Sequence, residues 1–130
     1  IGAFVSGLDA GKIYQTWPLM GNNYFPDDII LNKFKNTLNF SSHALVQFYH
    51  RNLAYIIIIY VFFLSIFIYK NKLIKLYSSL KLLLLFLSVQ IILGILTLIS
   101  GLNIYLASAH QITSVLLVFS AINLYYLRAK

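Results

Sequence analysis

Cysteine is absent from these 130 residues. Its absence excludes disulfides, zinc–thiolate sites, iron–sulfur ligation, thioether-linked cofactors and thiolate catalysis. Acid is nearly as scarce: Asp9, Asp27 and Asp28 are the only carboxylate side chains, and glutamate does not occur. Charged residues of both signs make up 10% of the chain, against 60% apolar residues, and the mean hydropathy is +0.81. A water-soluble domain could not cover a core with so little polar surface. The composition points to a bilayer as the solvent, with histidine and the few aspartates left to carry chemistry.

The charge that is present has a pattern. A formal net charge of +7 could suggest a nucleic-acid partner. However, Lys70, Lys72, Lys75 and Lys81 cluster just beyond one long apolar run, and Arg128 and Lys130 just beyond another. Basic residues so placed mark the cytoplasmic side of a membrane protein, and nucleic acid is not expected.

Residues 1–7 are apolar and small, with no charged region before them, which does not fit a signal peptide. They read as the end of a transmembrane helix whose start lies outside this sequence. Residues 8–43 form the only long polar segment. Its turn formers include Gly11, Pro18, Gly21 and Pro26, and Asp27 and Asp28 read as turn residues. Tyr14, Trp17, Tyr24 and Phe25 suit the headgroup level, a short helical piece is expected near 29–35, and His43 is expected to be solvated. The unit 44–130 then holds three complete spans, at 44–69, 82–99 and 104–127, close to the ~20 residues a span requires. Residues 100–103 are too short a link for anything but an antiparallel hairpin. The expected fold is an all-α transmembrane helical bundle, three complete spans plus the end of a preceding one. The lysine loop (70–81) and the C-terminus would face the cytoplasm or matrix, and the long loop and the Gly101 turn the outer side.

Two histidines stand out. His50 and His110 each lie about six residues inside the outer end of a span, about 9 Å deep at 1.5 Å per residue. Their spans run in the same direction, so the imidazoles share a level. A lone intramembrane histidine is commonly a hydrogen-bonding core residue. Two at matched depth in a bundle suit the two faces of a heme iron. Ala107, Ser114 and Ala121 on the third span offer room for a porphyrin. Gln90, Gly94, Thr97 and Gly101 do so on the middle span, and Gln47 and Ala54 flank His50 on the first. Gln47 and Gln111 read as donors behind the ligands. Arg51 either snorkels to the headgroups or reaches a heme propionate.

Residues 7–20 (GLDAGKIYQTWPLM), with Gln47-Phe48-Tyr49-His50-Arg51 and Ala109-His110-Gln111, resemble the C-terminal half of the heme A synthases of proteobacteria and mitochondria. The order and spacing of these motifs hold over nearly the whole chain. The resemblance implies an eight-helix protein of two similar four-helix bundles that oxidises a methyl group of heme O to the formyl group of heme A for terminal oxidase assembly. It implies that His50 and His110 are the axial pair of a heme b in the C-terminal bundle. Asp9 and Trp17 would lie in the outer loop beside that heme. The heme O substrate and the glutamate associated with oxidation belong to the other half, so this segment alone is expected not to catalyse. Heme O synthase and an electron donor are the implied partners besides membrane lipid. The bacterial inner membrane is the expected location, with the mitochondrial inner membrane as the alternative.

Two other readings fit the same residues. One is a bis-histidine heme b electron-transfer cytochrome or anchor subunit. The other is a non-enzymatic membrane scaffold with both histidines packed and hydrogen-bonded. A transporter is disfavoured because no complete span is broken.

Overall fold

In an apolar medium a single chain segment satisfies its own N–H and C=O groups only as a helix, and these runs of leucine, isoleucine and phenylalanine contain no proline to interrupt one. The computed structural model describes residues 1–26 and 41–129. Helix α1 covers Gly2–Gly7 and is followed by a 3-10 turn at Ala10–Lys12. Helix α2 is His43–Lys70, a second 3-10 turn is Ile74–Leu76, α3 is Tyr77–Ile99 and α4 is Ile104–Ala129. Among the described residues there is no strand beyond one isolated bridge between Met20 and Asn23. Three helices among the described residues are long and apolar enough to cross a membrane. Asp27, Asp28 and the expected helical piece near 29–35 lie outside the described residues.

The helices extend beyond the expected spans. His43 is exposed as predicted but is the first residue of α2, not part of the loop. Helix α3 begins at Tyr77, and the second 3-10 turn precedes it almost directly, so Lys81 is an exposed helical residue and the lysine loop is only a few residues long. The early start is held by packing: Ser79 and Leu80 are buried, and the Asn123 side-chain amide donates to Ser79 Oγ at 3.0 Å.

Two tight turns fix the order of the helices. After α2, Lys72 takes a positive φ of 51° while Leu73 N bonds to Ile68 O and Lys72 N to Tyr69 O. After α3, Gly101 does the same with φ 71°, Leu102 N reaching Thr97 O and Gly101 N reaching Leu98 O. Both are the paired carbonyl-closing bonds of a left-handed helix cap. Asn103 then opens α4, its Oδ1 accepting from Tyr105 N at 3.0 Å.

Packing is uneven along the bundle. Helices α3 and α4 lie against each other along their length, whereas α2 touches α3 only lightly. The α3 face toward the interior repeats at 80, 83, 87, 90, 94 and 97, and the α4 face at 110, 113, 117, 120 and 124. Steps of three and four are the spacing of one helix stripe. At the lysine end these positions join Val61 and Ile68 of α2 in one leucine-rich cluster containing Leu80, Leu83, Leu87 and Leu124. Toward the other end the stripes turn polar and small, and α2 stands apart. Large apolar side chains such as Ile56, Phe63, Ile112 and Phe119 point outward, toward lipid in a membrane.

Candidate functional site

The gap between α2 and the α3–α4 hairpin is a cavity of about 370 Å³. This lies within the usual range of small-molecule sites. His50 and His110 both line it. His50 lies seven residues beyond the start of α2 and His110 six beyond the start of α4, giving depths of about 10 and 9 Å. Leu87, Ile91 and Leu117 belong both to the cavity wall and to the leucine cluster or its rim, and so form its floor.

The two imidazoles are held differently. His110 Nδ1 lies 3.1 Å from the backbone oxygen of Gln90, and its Nε2 lies 3.3 Å from the Gln90 side-chain nitrogen. A β-carbon built on Gly94, one turn further along α3, would stand 3.0 Å from His110 Cε1. Glycine at this position leaves the space the ring occupies. No hydrogen bond to His50 occurs among the described residues, and α1 passes nearby, with Gly2 facing its Cε1 at 3.8 Å from a built β-carbon.

The outer loop closes the remaining side. Gln47 Nε2 donates to Tyr14 O at 2.8 Å, Arg51 Nη2 to the same oxygen at 3.0 Å, and Arg51 Nη1 to Leu19 O at 3.2 Å. The Tyr24 hydroxyl donates to Asn52 Oδ1. Arg51 therefore grips the loop backbone and does not extend freely to headgroups. On the hairpin side a β-carbon on Gly11 would lie 2.6 Å from Leu102 Cδ2, so the loop backbone meets the α3–α4 turn closely. Trp17 lines the cavity mouth. Asp9 does not line the cavity; it pairs with Lys12 at 2.7 Å, both well exposed.

Two polar atoms of this latch are buried without a partner: Gln47 Oε1 and Arg51 Nε. One accepts and the other donates, four residues apart on one helix. Buried polar atoms are normally satisfied; a carboxylate could accept from Arg51 Nε, whereas Gln47 Oε1 calls for a donor. No group of three or more His, Cys, Asp or Glu that could hold a free metal ion occurs among the described residues. The imidazole pair suits an iron whose equatorial ligands come from a macrocycle. The two imidazoles, the cavity and the orphaned Arg51 Nε thus fit a heme carrying carboxylate arms.

The remaining expectations divide. Gln47, Ala54, Gln90, Gly94 and Thr97 line the cavity, while Gly101 serves the turn. Gln111 does not line it; it is exposed, one step of about 100° round α4 from His110. Ala107, Ser114 and Ala121 do not line it either, because the hairpin turns the stripe containing Thr113 and Leu117 toward α3. Thr113 went unnoticed in the sequence. A hydroxyl three residues after a histidine, opposite a glutamine in an apolar run, was the available signal.

The cytochrome oxidase assembly protein profile (COX15-CtaA) matches residues 1–122. The chain belongs to this family. Similar curated proteins include the heme A synthase of Pelagibacter ubique (strain HTCC1062), 38% identical over 123 residues, 92% of this chain and 35% of that protein. The heme A synthase of Wolbachia pipientis wMel is 41% identical over 126 residues, 97% of this chain and 34% of its own. That of Rickettsia felis is 38% identical over 127 residues, 98% and 37% respectively. The chain spans about a third of the length of these relatives. No solved structure matches it. Family membership and three membrane-length helices make it an integral membrane protein.

Proposed function

We propose that this chain is the C-terminal, heme b-holding part of a heme A synthase, with His50 and His110 as the axial ligands of a low-spin heme. The observation that carries this reading is that both imidazoles line one largely apolar, partly open cavity at matched depth. Arg51 Nε supplies a buried donor for one carboxylate arm. The guanidinium keeps its hold on Tyr14 and Leu19 meanwhile, so arm and loop are secured by the same side chain.

When bound, heme supplies redox chemistry that amino-acid side chains lack. The chain's own part is physical. His50 and His110 would hold the macrocycle, and Leu87, Ile91, Leu117 and Trp17 would keep water from the cavity they line. The parent protein would oxidise a methyl group of heme O to the formyl group of heme A, receiving heme O from heme O synthase and exchanging electrons with a donor. The substrate would bind in the part of the protein outside this chain. The lysine end and the C-terminus would face the cytoplasm, as the unbalanced Lys70, Lys72, Lys75 and Lys81 favour, and the membrane would be a bacterial inner membrane.

The test is an optical spectrum of the detergent-purified chain reconstituted with heme, beside His50→Ala and His110→Ala. A low-spin b-type spectrum that either variant loses or converts to high-spin is expected. A wild-type chain that folds yet takes up no heme, or variants that keep the low-spin spectrum, would remove the ligand assignment.

A further inference from the structure

Among the described residues, Gln90 is the one that reaches both nitrogens of His110. Its backbone oxygen lies 3.1 Å from Nδ1 and its side-chain nitrogen 3.3 Å from Nε2. A carbonyl oxygen only accepts, so Nδ1 carries the proton and Nε2 presents a lone pair. The side-chain amide must then donate to that lone pair. A third contact is compatible with that orientation: the Thr113 hydroxyl stands 2.6 Å from Gln90 Oε1 and can donate to it. The opposite orientation would set Oε1 against a lone pair and lose the bond. The hydroxyl has other acceptors within reach, Ala109 O at 2.9 Å and His110 O at 3.1 Å, and has one proton to give. The arrangement therefore holds together without being tight, and 3.3 Å is the long end of a hydrogen bond.

Resting on the heme-ligand reading above, we propose that Gln90 is a displaceable placeholder on His110. Its side-chain amide occupies the ligating nitrogen until heme arrives, while its backbone carbonyl keeps the ring aimed. On loading, the Gln90 N–H···Nε2 hydrogen bond breaks and Nε2 forms a bond to iron. The proton on Nδ1 stays where it is, and no electron moves. The Gln90 amide swings aside, and the ring, backed by Gly94, does not turn. The device meets a real need. A free imidazole nitrogen facing an apolar cavity is an unsatisfied buried acceptor, and a placeholder keeps the cofactor-free bundle intact. The side chain opposes heme binding while the backbone carbonyl of the same residue supports it, because a hydrogen bond from Nδ1–H makes the imidazole a stronger ligand.

This separation makes the proposal testable with Gln90→Leu, which removes the amide, keeps the carbonyl and roughly conserves volume. Heme titration of the detergent-purified chain is expected to show about two- to tenfold tighter binding, the equivalent of a net hydrogen bond no longer broken. The reduced spectrum should stay low-spin. Thr113→Val, which frees the amide from its hydroxyl partner, should shift affinity the same way by a smaller factor and carries the test if Gln90→Leu fails to fold. Weaker binding or a high-spin spectrum in the folded variant would overturn the placeholder, since Gln90 would then be assisting the cofactor. Unchanged affinity would overturn it as well. The ligand reading fails separately, by a wild-type chain that folds and binds no heme, or by a His110→Ala chain that stays low-spin.

Discussion

Gly94 faces His110 so closely that a β-carbon on the glycine would stand 3.0 Å from the imidazole Cε1. Helix α3 thus accepts a residue with poor helix propensity where the ring needs room. Gly94→Ala should stabilise the helix by up to about 1 kcal/mol through propensity and push the ring off its seat. The expected outcome is a split: thermal stability in detergent unchanged or raised, heme affinity lowered by about tenfold for a ~1.4 kcal/mol loss. Parallel unfolding and heme titration check it, and a variant losing both equally would mean that Gly94 serves packing alone.

Arg51 ties two stretches of the outer loop to α2 through Tyr14 O and Leu19 O. Arg51→Ala should release that loop by on the order of 1–2 kcal/mol, since bonds from a charged donor are the stronger kind but this one is only part-buried. Cleavage after Lys12 by trypsin should quicken roughly tenfold, read by limited proteolysis. Arg51→Lys should rescue little, because an ammonium on a flexible stem does not reproduce the planar fork that spans two carbonyls.

Gly101 closes the hairpin with a φ of 71°. Gly101→Ala should destabilise the bundle by about 1 kcal/mol, the steric cost of a β-carbon in the left-handed region. Denaturant titration followed by circular dichroism would measure it, and the heme spectrum should not change because the turn does not touch the imidazoles.

Much of this architecture was legible because lipid is a simple solvent. Long apolar runs give the spans, and the histidine depths follow from rise per residue once the helix starts are roughly placed. Two features escaped that logic. The start of α3 is one: Ser78, Ser79 and Lys81 have the composition of a loop, yet Asn123 bonds Ser79 across the bundle. The rotation of α4 is the other, because it depends on the 100–103 turn: Thr113 faces Gln90 while Ser114 bonds back to Gln111 O. Arg51 was the intermediate case. Its charge and position suggested two destinations, and its hydrogen-bond partners prove to be the backbone of a loop whose path no local pattern encodes.

The leucine cluster at the lysine end has a mechanical consequence. Helix α2 joins that cluster through Val61 and Ile68, and the outer loop ties its other end through Gln47 and Arg51, so the wall that carries His50 is held at both ends. The distance between the cavity walls is therefore set by the chain's own contacts, and a flat guest would have to suit that width.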